Sequence, residues 1–258
     1  MTVSAAQRKS FPLVTAHTGC METLDNTLES VRRGIELGAD VIEEDVRVTR
    51  DGVAVLAHDD LWPAVGGEQI RISQMDFAEL RKLEVEVDHA GKKGIISFRT
   101  LEEMLEIIKP SGKIANLDLK TDEAINAAAA VVDKLGMLEQ VFLSGCEVDR
   151  AREAEQRQPK LRKLLNADVK LFTSIPYEQA VSQTCQDALE TSCFGINIYH
   201  EFITPALLER AQALELPVYA WTVNDTKLME LYADMGVASI TARNVEALVG
   251  LRMKRRQT

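Results

Sequence analysis

Glu43 and Asp45 stand two residues apart in the run VIEEDVRVTRDGVAVLAHDD, residues 41–60, and His58-Asp59 closes the same stretch. On an extended strand, residues two apart point the same way. Glu43 and Asp45 therefore share one face with Val41, while Glu44 shares the other with Ile42 and Val46. The run NLDLK repeats the spacing: Asp118 and Lys120 take one face, Leu117 and Leu119 the other. Two inward carboxylates repel each other unless a cation lies between them. Glu43, Asp45 and Asp118 converging, with water completing the shell, make a hard oxygen site for Mg²⁺ or Ca²⁺. His17 and His58 offer a general acid and a general base beside such an ion. Either could instead serve a softer metal as ligand, but neither HxH nor HExxH accompanies them. Lys120 offers a point charge to an anionic oxygen. Trp221 ends an apolar run, where it either fills the interior or packs against a substrate's carbon skeleton.

Each of these residues has a plainer reading. An E-x-D pair is often a solvated strand edge, and a lone histidine is more often structural than catalytic. His89 falls in a polar loop and reads as surface; His200 follows a strand with nothing to pair with it. Cys20 lies near the candidate site but lacks an adjacent base, so it is read as a reduced thiol and not a nucleophile.

The elements that must position the chemistry form a repeating alternation. Strand-like runs are LVTAH (13–17), DVIEEDV (40–46), KIANLDL (113–119), QVFLSG (140–145), RKLLNA (162–167), FGINIYH (194–200), PVYAWTV (217–223) and ASITA (238–242), with helical patterns between most of them. KLFTS (170–174) competes for the fifth strand. Asn26 followed by Glu29 reads as a capping box opening a helix over 27–37, with Gly38 as its C-cap. Thr204-Pro205 opens another helix, and Asn224 or Asp225 caps a third. Eight strands alternating with helices predict a (β/α)8 barrel; a doubly wound open sheet gives a similar pattern. Residues 59–100 break the alternation. They read as an insertion between the second and third strands of one domain spanning 1–258, with a short helix near 76–83 and a loop through Gly91 and Gly94. His17, Glu43, Asp45, Asp118, Lys120 and Trp221 all fall at the C-terminal ends of expected strands, where barrel enzymes build their sites.

Composition narrows the function classes. The chain has 258 residues, 46% of them hydrophobic, and a formal net charge of −10. Such an acidic chain repels nucleic acid and anionic membrane, so neither is an expected partner. The N-terminal MTVSAAQRKSFPLVT has no continuous apolar run of the signal-peptide kind, and no later run is long enough to span a bilayer. The cysteines, Cys20, Cys146, Cys185 and Cys193, show no CxxC spacing and suit a cytoplasmic protein. The basic end, MKRRQT, reads as solvated.

VTAHTG, DNT, GADVIEEDVRVTRDG, LAHDD, LDLK, AWTVND and GVASIT, in that order, resemble the glycerophosphodiester phosphodiesterase family from about Val14 to Asn244. The resemblance implies a barrel with a small insertion after the second strand. It also implies a hydrolase of lipid and glycerol metabolism whose divalent cation, Mg²⁺ or Ca²⁺, serves cleavage of glycerophosphodiesters to glycerol 3-phosphate and an alcohol. It assigns Glu43, Asp45 and Asp118 to the metal, His17 and His58 to acid–base work, and Lys120 to phosphate, and it puts Thr18 at a phosphate-binding position. The implied chemistry has a glycerol hydroxyl attack phosphorus, after which a cyclic phosphate opens to water. Three departures stand out. The family's His-Arg-Gly is His17-Thr18-Gly19, its Glu-Asn-Thr is Asp25-Asn26-Thr27, and its third acid, usually glutamate, is Asp118. Loss of the arginine's charged hydrogen bonds removes about 2–4 kcal/mol of transition-state binding unless another group replaces it. Two other readings follow: a non-catalytic barrel that binds a phosphodiester or polyol, and a related lyase that stops at a cyclic phosphate.

Overall fold

The computed structural model describes residues 10–89 and 92–257. Eight parallel strands carry the fold: β1 (Leu13–Ala16), β2 (Val41–Val48), β3 (Ile114–Leu119), β4 (Val141–Ser144), β5 (Leu164–Asn166), β6 (Gly195–Tyr199), β7 (Val218–Trp221) and β8 (Ser239–Ala242). The helices that follow them are α1 (Leu28–Glu36), α2 (Leu101–Ser111), α3 (Ala124–Leu135), α4 (Val148–Arg157), α5 (Tyr177–Glu190), α6 (Pro205–Ala213), α7 (Thr226–Met235) and α8 (Val245–Gln257). β1 pairs in parallel with both β8 and β2, so the sheet curls on itself and is not an open doubly wound sheet. The last gap, between β4 and β5, is narrowed by a parallel bridge from Leu143 to Lys163 and by the Leu143 N–H on the Arg162 carbonyl at 2.9 Å. The result is a nearly closed (β/α)8 barrel.

The interior is layered along the barrel axis. Val41, Phe142, Leu164 and Tyr219 plug the N-terminal end, with Phe142 and Tyr219 meeting edge to face. Above the plug the inward residues turn polar, and near the C-terminal rim they become acidic. Register sets the rim: Asp45 lies opposite Asp118, and Asp118 opposite Ser144, so all three stand at one height. Helix α1 packs tightly behind this rim, because a Cβ at Gly34 would come within 2.9 Å of the Ala16 side chain and 2.8 Å of Ile42.

The fifth strand is 164–166. KLFTS belongs instead to a short helix, Val169–Ser174, started by Asp168, whose side chain accepts the Lys170 N–H. Thr27, not Asn26, caps α1 by accepting the Ser30 N–H at 3.2 Å; Asn26 sits at φ 57, outside the helix. Thr204 and Asp225 cap α6 and α7, while Asn224 accepts the Arg243 N–H.

Beyond its barrel length, β2 pairs antiparallel with Ala54–Leu56 and leads the chain outward. Two hairpins follow, Leu61–Pro63 with Gln69–Arg71 and Glu84–His89 with Lys92–Ser97, and a short helix, Phe77–Leu80, lies between them. They gather around Val55, Ile70, Ile72, Leu80 and Val85. Of the expected loop through Gly91 and Gly94, Gly94 lies in the second hairpin, opposite Val87. His89 ends a strand, and its side chain, like Ala90, Gly91, the first nine residues and Thr258, lies outside the described residues. Most of the basic C-terminal run is the last turn of α8. Among the described residues no helix is long and apolar enough to cross a membrane.

Candidate active site

The C-terminal rim opens into a cavity of about 920 Å³ that all eight strands or their following loops help to line. His17, Thr18, Glu43, Asp45, His58, Asp118, Lys120 and Trp221 all border it. Leu61, Trp62, Pro63, Glu86 and Val87 reach its outer edge from the hairpins.

Alternation on β2 works as the sequence predicts. Glu43 and Asp45 point inward and Glu44, with no exposure, points back toward the helices. One carboxylate oxygen from each of Glu43, Asp45 and Asp118 lies within 4.8 Å of the others. Oxygens bound to one Mg²⁺ or Ca²⁺ at 2.0–2.6 Å are themselves no more than about 4–5 Å apart, so the three fit a single ion of this kind. The shorter side chain of Asp118 reaches the cluster because Gly145 lets it: a Cβ there would come within 2.1 Å of Asp118 Oδ1. That same oxygen is buried without a hydrogen-bond partner among the described residues, a donor atom fit for a cation.

The electrostatics agree with the geometry. Burial, then the charges of Asp45 and Asp118, push the Glu43 carboxyl well above its ordinary value. Burial also raises Asp118, partly offset by Lys120. Burial alone would raise Asp45, but the Lys120 charge and hydrogen bond outweigh it and hold the group below its ordinary value. Lys120 bridges the pair, with Nζ 2.9 Å from Asp45 Oδ1 and 3.1 Å from Asp118 Oδ2. Desolvation opposes that ammonium's charge, yet the two carboxylates hold its pKa well above the usual lysine value. Among the cavity's lining residues, seven carboxylates face four cationic side chains. An anionic substrate would be repelled from such a cleft without further positive charge.

The histidines differ. His17 is half-buried, and its Nδ1 is 2.8 Å from the Thr18 carbonyl. A carbonyl only accepts, so Nδ1 carries the proton and Nε2 the lone pair. Burial, then the charge of Arg243, lower the His17 pKa below its ordinary 6.5. His58 is exposed, with Nδ1 3.0 Å from Asp59 Oδ1.

Thr18 lies at the cavity but does not turn its hydroxyl to it. The side chain is 1% exposed; the hydroxyl donates to Glu44 and accepts the Asn26 N–H, while the Thr18 N–H donates to Glu43 Oε2 at 3.1 Å. Trp221 borders the cavity beside Tyr199, ring centres 5.5 Å apart, and its buried Nε1 has no hydrogen-bond partner among the described residues. His200 finds a partner after all: its carbonyl and ring both meet the Tyr232 hydroxyl. Cys20 is fully buried, its thiol pushed up to about 11 chiefly by desolvation, which suits the structural reading. All four cysteines are free and buried.

Sequence reasoning missed Asn26, which clamps Asp45. Its Nδ2 donates to Asp45 Oδ2 at 3.1 Å and its Oδ1 accepts the Asp45 N–H at 3.2 Å. Asparagine's tolerance of left-handed backbone was the available signal. It also missed Asp25, which holds Arg243 through both terminal guanidinium nitrogens.

The sequence matches the model of the Glycerophosphoryl diester phosphodiesterase family over residues 8–247. A glycerophosphodiester phosphodiesterase of Caldanaerobacter subterraneus is 24% identical over 248 residues, covering 94% of this chain and 98% of that protein. A glycerophosphodiester phosphodiesterase from Thermotoga maritima has a similar fold, with a TM-score of 0.72 at 22% identity, over 93% of this chain and 98% of that one. A phosphodiesterase from Oleispira antarctica, solved in complex with the product sn-glycerol-3-phosphate, gives 0.76 at 24% identity over 95% and 97%.

Proposed function

This chain belongs to the glycerophosphoryl diester phosphodiesterase family, and on that premise we propose that it hydrolyses glycerophosphodiesters to glycerol 3-phosphate and an alcohol with the help of one divalent cation. The observation that carries this reading is the Glu43–Asp45–Asp118 cluster, sized for one ion, in the same cavity as His17 and His58. Glu43, Asp45 and Asp118 are the ligands, and oxygen donors alone favour Mg²⁺ or Ca²⁺. When bound, the ion would supply Lewis-acid stabilisation of the phosphate charge.

His17 is the base in the first step. Its Nε2 lone pair is free, and its lowered pKa keeps the ring neutral at physiological pH. It takes the proton of the glycerol 2-hydroxyl as that oxygen forms a bond to phosphorus. The bond from phosphorus to the alcohol oxygen breaks, and His58 gives that oxygen a proton. In the second step neutral His58 takes a proton from water as the water oxygen adds to phosphorus. His17 returns its proton to the 2-oxygen as the ring opens, which restores both histidines. Lys120 supports the phosphate oxygens, and Trp221 offers an indole face to the carbon skeleton. The four buried, unpaired thiols fit a reducing compartment such as the cytoplasm.

The test is turnover of glycerophosphocholine and glycerophosphoethanolamine with Mg²⁺, Ca²⁺ or EDTA, followed by ³¹P NMR. Glycerol 3-phosphate that disappears on chelation is the expected result. Persistent cyclic phosphate would instead identify a lyase, and binding without turnover a non-catalytic module.

A further inference from the structure

With residue 18 a buried threonine, the positive charge that grips a phosphate must come from elsewhere on the rim. Three arginines border the cavity, and two are spent. Arg243 donates to the Thr18 carbonyl at 2.8 Å and to both oxygens of Asp25 at 2.6 and 3.2 Å. Arg150 donates to Asp122 at 2.6 Å and to the carbonyls of Leu119 and Gly145 at 2.8 and 2.6 Å. Lys120 is held between two carboxylates, which leaves a single N–H of its ammonium for a phosphate oxygen. Arg47 differs from all of these. It makes one hydrogen bond, from Nε to the His58 carbonyl at 2.7 Å, and among the described residues no protein acceptor meets its two terminal nitrogens.

Its position follows from the strand. Glu43, Asp45 and Arg47 occupy alternate positions of β2 and share its inward face, with Arg47 one step farther out than the acids. The bond to His58 fixes the guanidinium plane and ties it to the backbone of a histidine on the same cavity. The terminal nitrogens are left as a fork of N–H donors, and such a fork matches two oxygens of one phosphate. We propose that Arg47 is the phosphate-binding arginine of this protein, taking from β2 the role that the residue after His17 has given up. This assignment rests on the phosphodiesterase reading for its reaction, but the anion site itself is testable apart from turnover.

The experiment titrates glycerol 3-phosphate, with inorganic phosphate as a second probe, into wild type, Arg47→Gln, Arg47→Lys and Arg71→Gln by calorimetry, each with Mg²⁺ and with EDTA. Arg71 lies outside the cavity, paired with Asp60, and serves as the control. Arg47→Gln should weaken both ligands roughly 10- to 100-fold, the loss expected of charged hydrogen bonds. Arg47→Lys, which keeps the charge and loses the fork, should fall between. Divalent-ion affinity should hold in both, and a melting curve for each variant guards against misfolding. The inference is overturned if wild type binds neither probe, if Arg47→Gln stays within about twofold of wild type, or if Arg71→Gln loses as much. Should wild type bind through Arg47 and yet hydrolyse no diester, the hydrolytic reading fails and this one stands. Should diesters turn over with kcat/KM unchanged in Arg47→Gln, the reverse holds.

Discussion

The Thr18 hydroxyl donates to the Glu44 carboxylate and at the same time accepts the Asn26 N–H at 2.7 Å. One buried oxygen thus joins the turn after β1, the outer face of β2 and the residue that clamps Asp45. Thr18→Val keeps the shape and removes the oxygen. It strands a carboxyl group whose other oxygen lacks a partner among the described residues, and it removes the acceptor of the Asn26 N–H. The expected cost is about 2–4 kcal/mol in urea unfolding, since a buried group left unpaired costs its desolvation. A loss below about 0.5 kcal/mol would mean that water reaches this corner.

Glu44 also gives the fold a pH dependence. Burial pushes its carboxyl well above the ordinary 4.5, with Thr18 opposing and the nearby acids reinforcing. Above pH 4.5 the unfolded chain releases this proton while the folded chain retains it. The unfolded state then binds fewer protons, so stability falls as pH rises toward the folded value and levels off beyond it. Glu44→Gln removes that slope. The difference in Tm, variant minus wild type, should shift in the variant's favour between pH 5 and pH 8, by scanning calorimetry. A pH-independent difference would show that Glu44 titrates normally.

Lys120 neutralises charges that a divalent ion would otherwise bridge. Lys120→Met leaves Glu43, Asp45 and Asp118 uncompensated, and its stability in EDTA should fall by about 3–5 kcal/mol. Added Ca²⁺ or Mg²⁺ should recover much of this by mass action, raising Tm more than it does for wild type. Turnover should drop all the same, because the ammonium no longer meets the phosphate. Equal ion-induced shifts in the two proteins would argue against the cluster as the cation site.

Gly145 sets the reach of Asp118. It has φ +69, and an added Cβ would come within 2.4 Å of the Leu119 carbonyl as well as 2.1 Å of Asp118 Oδ1. Gly145→Ala should therefore lower divalent-ion affinity at least ~10-fold, and the left-handed backbone should cost about 1 kcal/mol of stability besides. Calorimetric ion titration checks the first and chemical denaturation the second. Unchanged ion affinity would mean that Asp118 contributes no bond to the ion.

What sequence could and could not reveal follows from the range of the forces involved. The inward set Glu43 and Asp45 was legible because strand alternation is local, and Asp118 because it repeats that spacing beside Lys120. The fifth strand was ambiguous because LLN and KLFTS are both short and apolar; Asp168, by accepting the Lys170 N–H, makes the second a helix. The second hairpin carried its own signal, the alternating EVEVDH of 84–89, which Gly91 and Gly94 obscured. Asn26 read as a cap because its side chain suits one, and only the approach of β2 turns that side chain to Asp45. Asp25 and Arg243 stand 218 residues apart, and no local pattern announces their pairing.

That pairing places a guanidinium beside His17, and the consequence for catalysis has a definite sign. Burial and Arg243 lower the His17 pKa, against the Thr18 carbonyl and the charges of Asp45 and Asp25. Arg243→Gln removes one lowering influence and frees the Asp25 charge, so the His17 pKa should rise. A base must be neutral to act, so the acidic limb of kcat/KM should move to higher pH by the same amount. NMR titration of the His17 ring follows the pKa directly, and ¹⁵N shifts should find the proton on Nδ1 in the neutral form. Were the ring pKa to rise while the limb stayed in place, His17 would not be the base, and His58 would inherit that role.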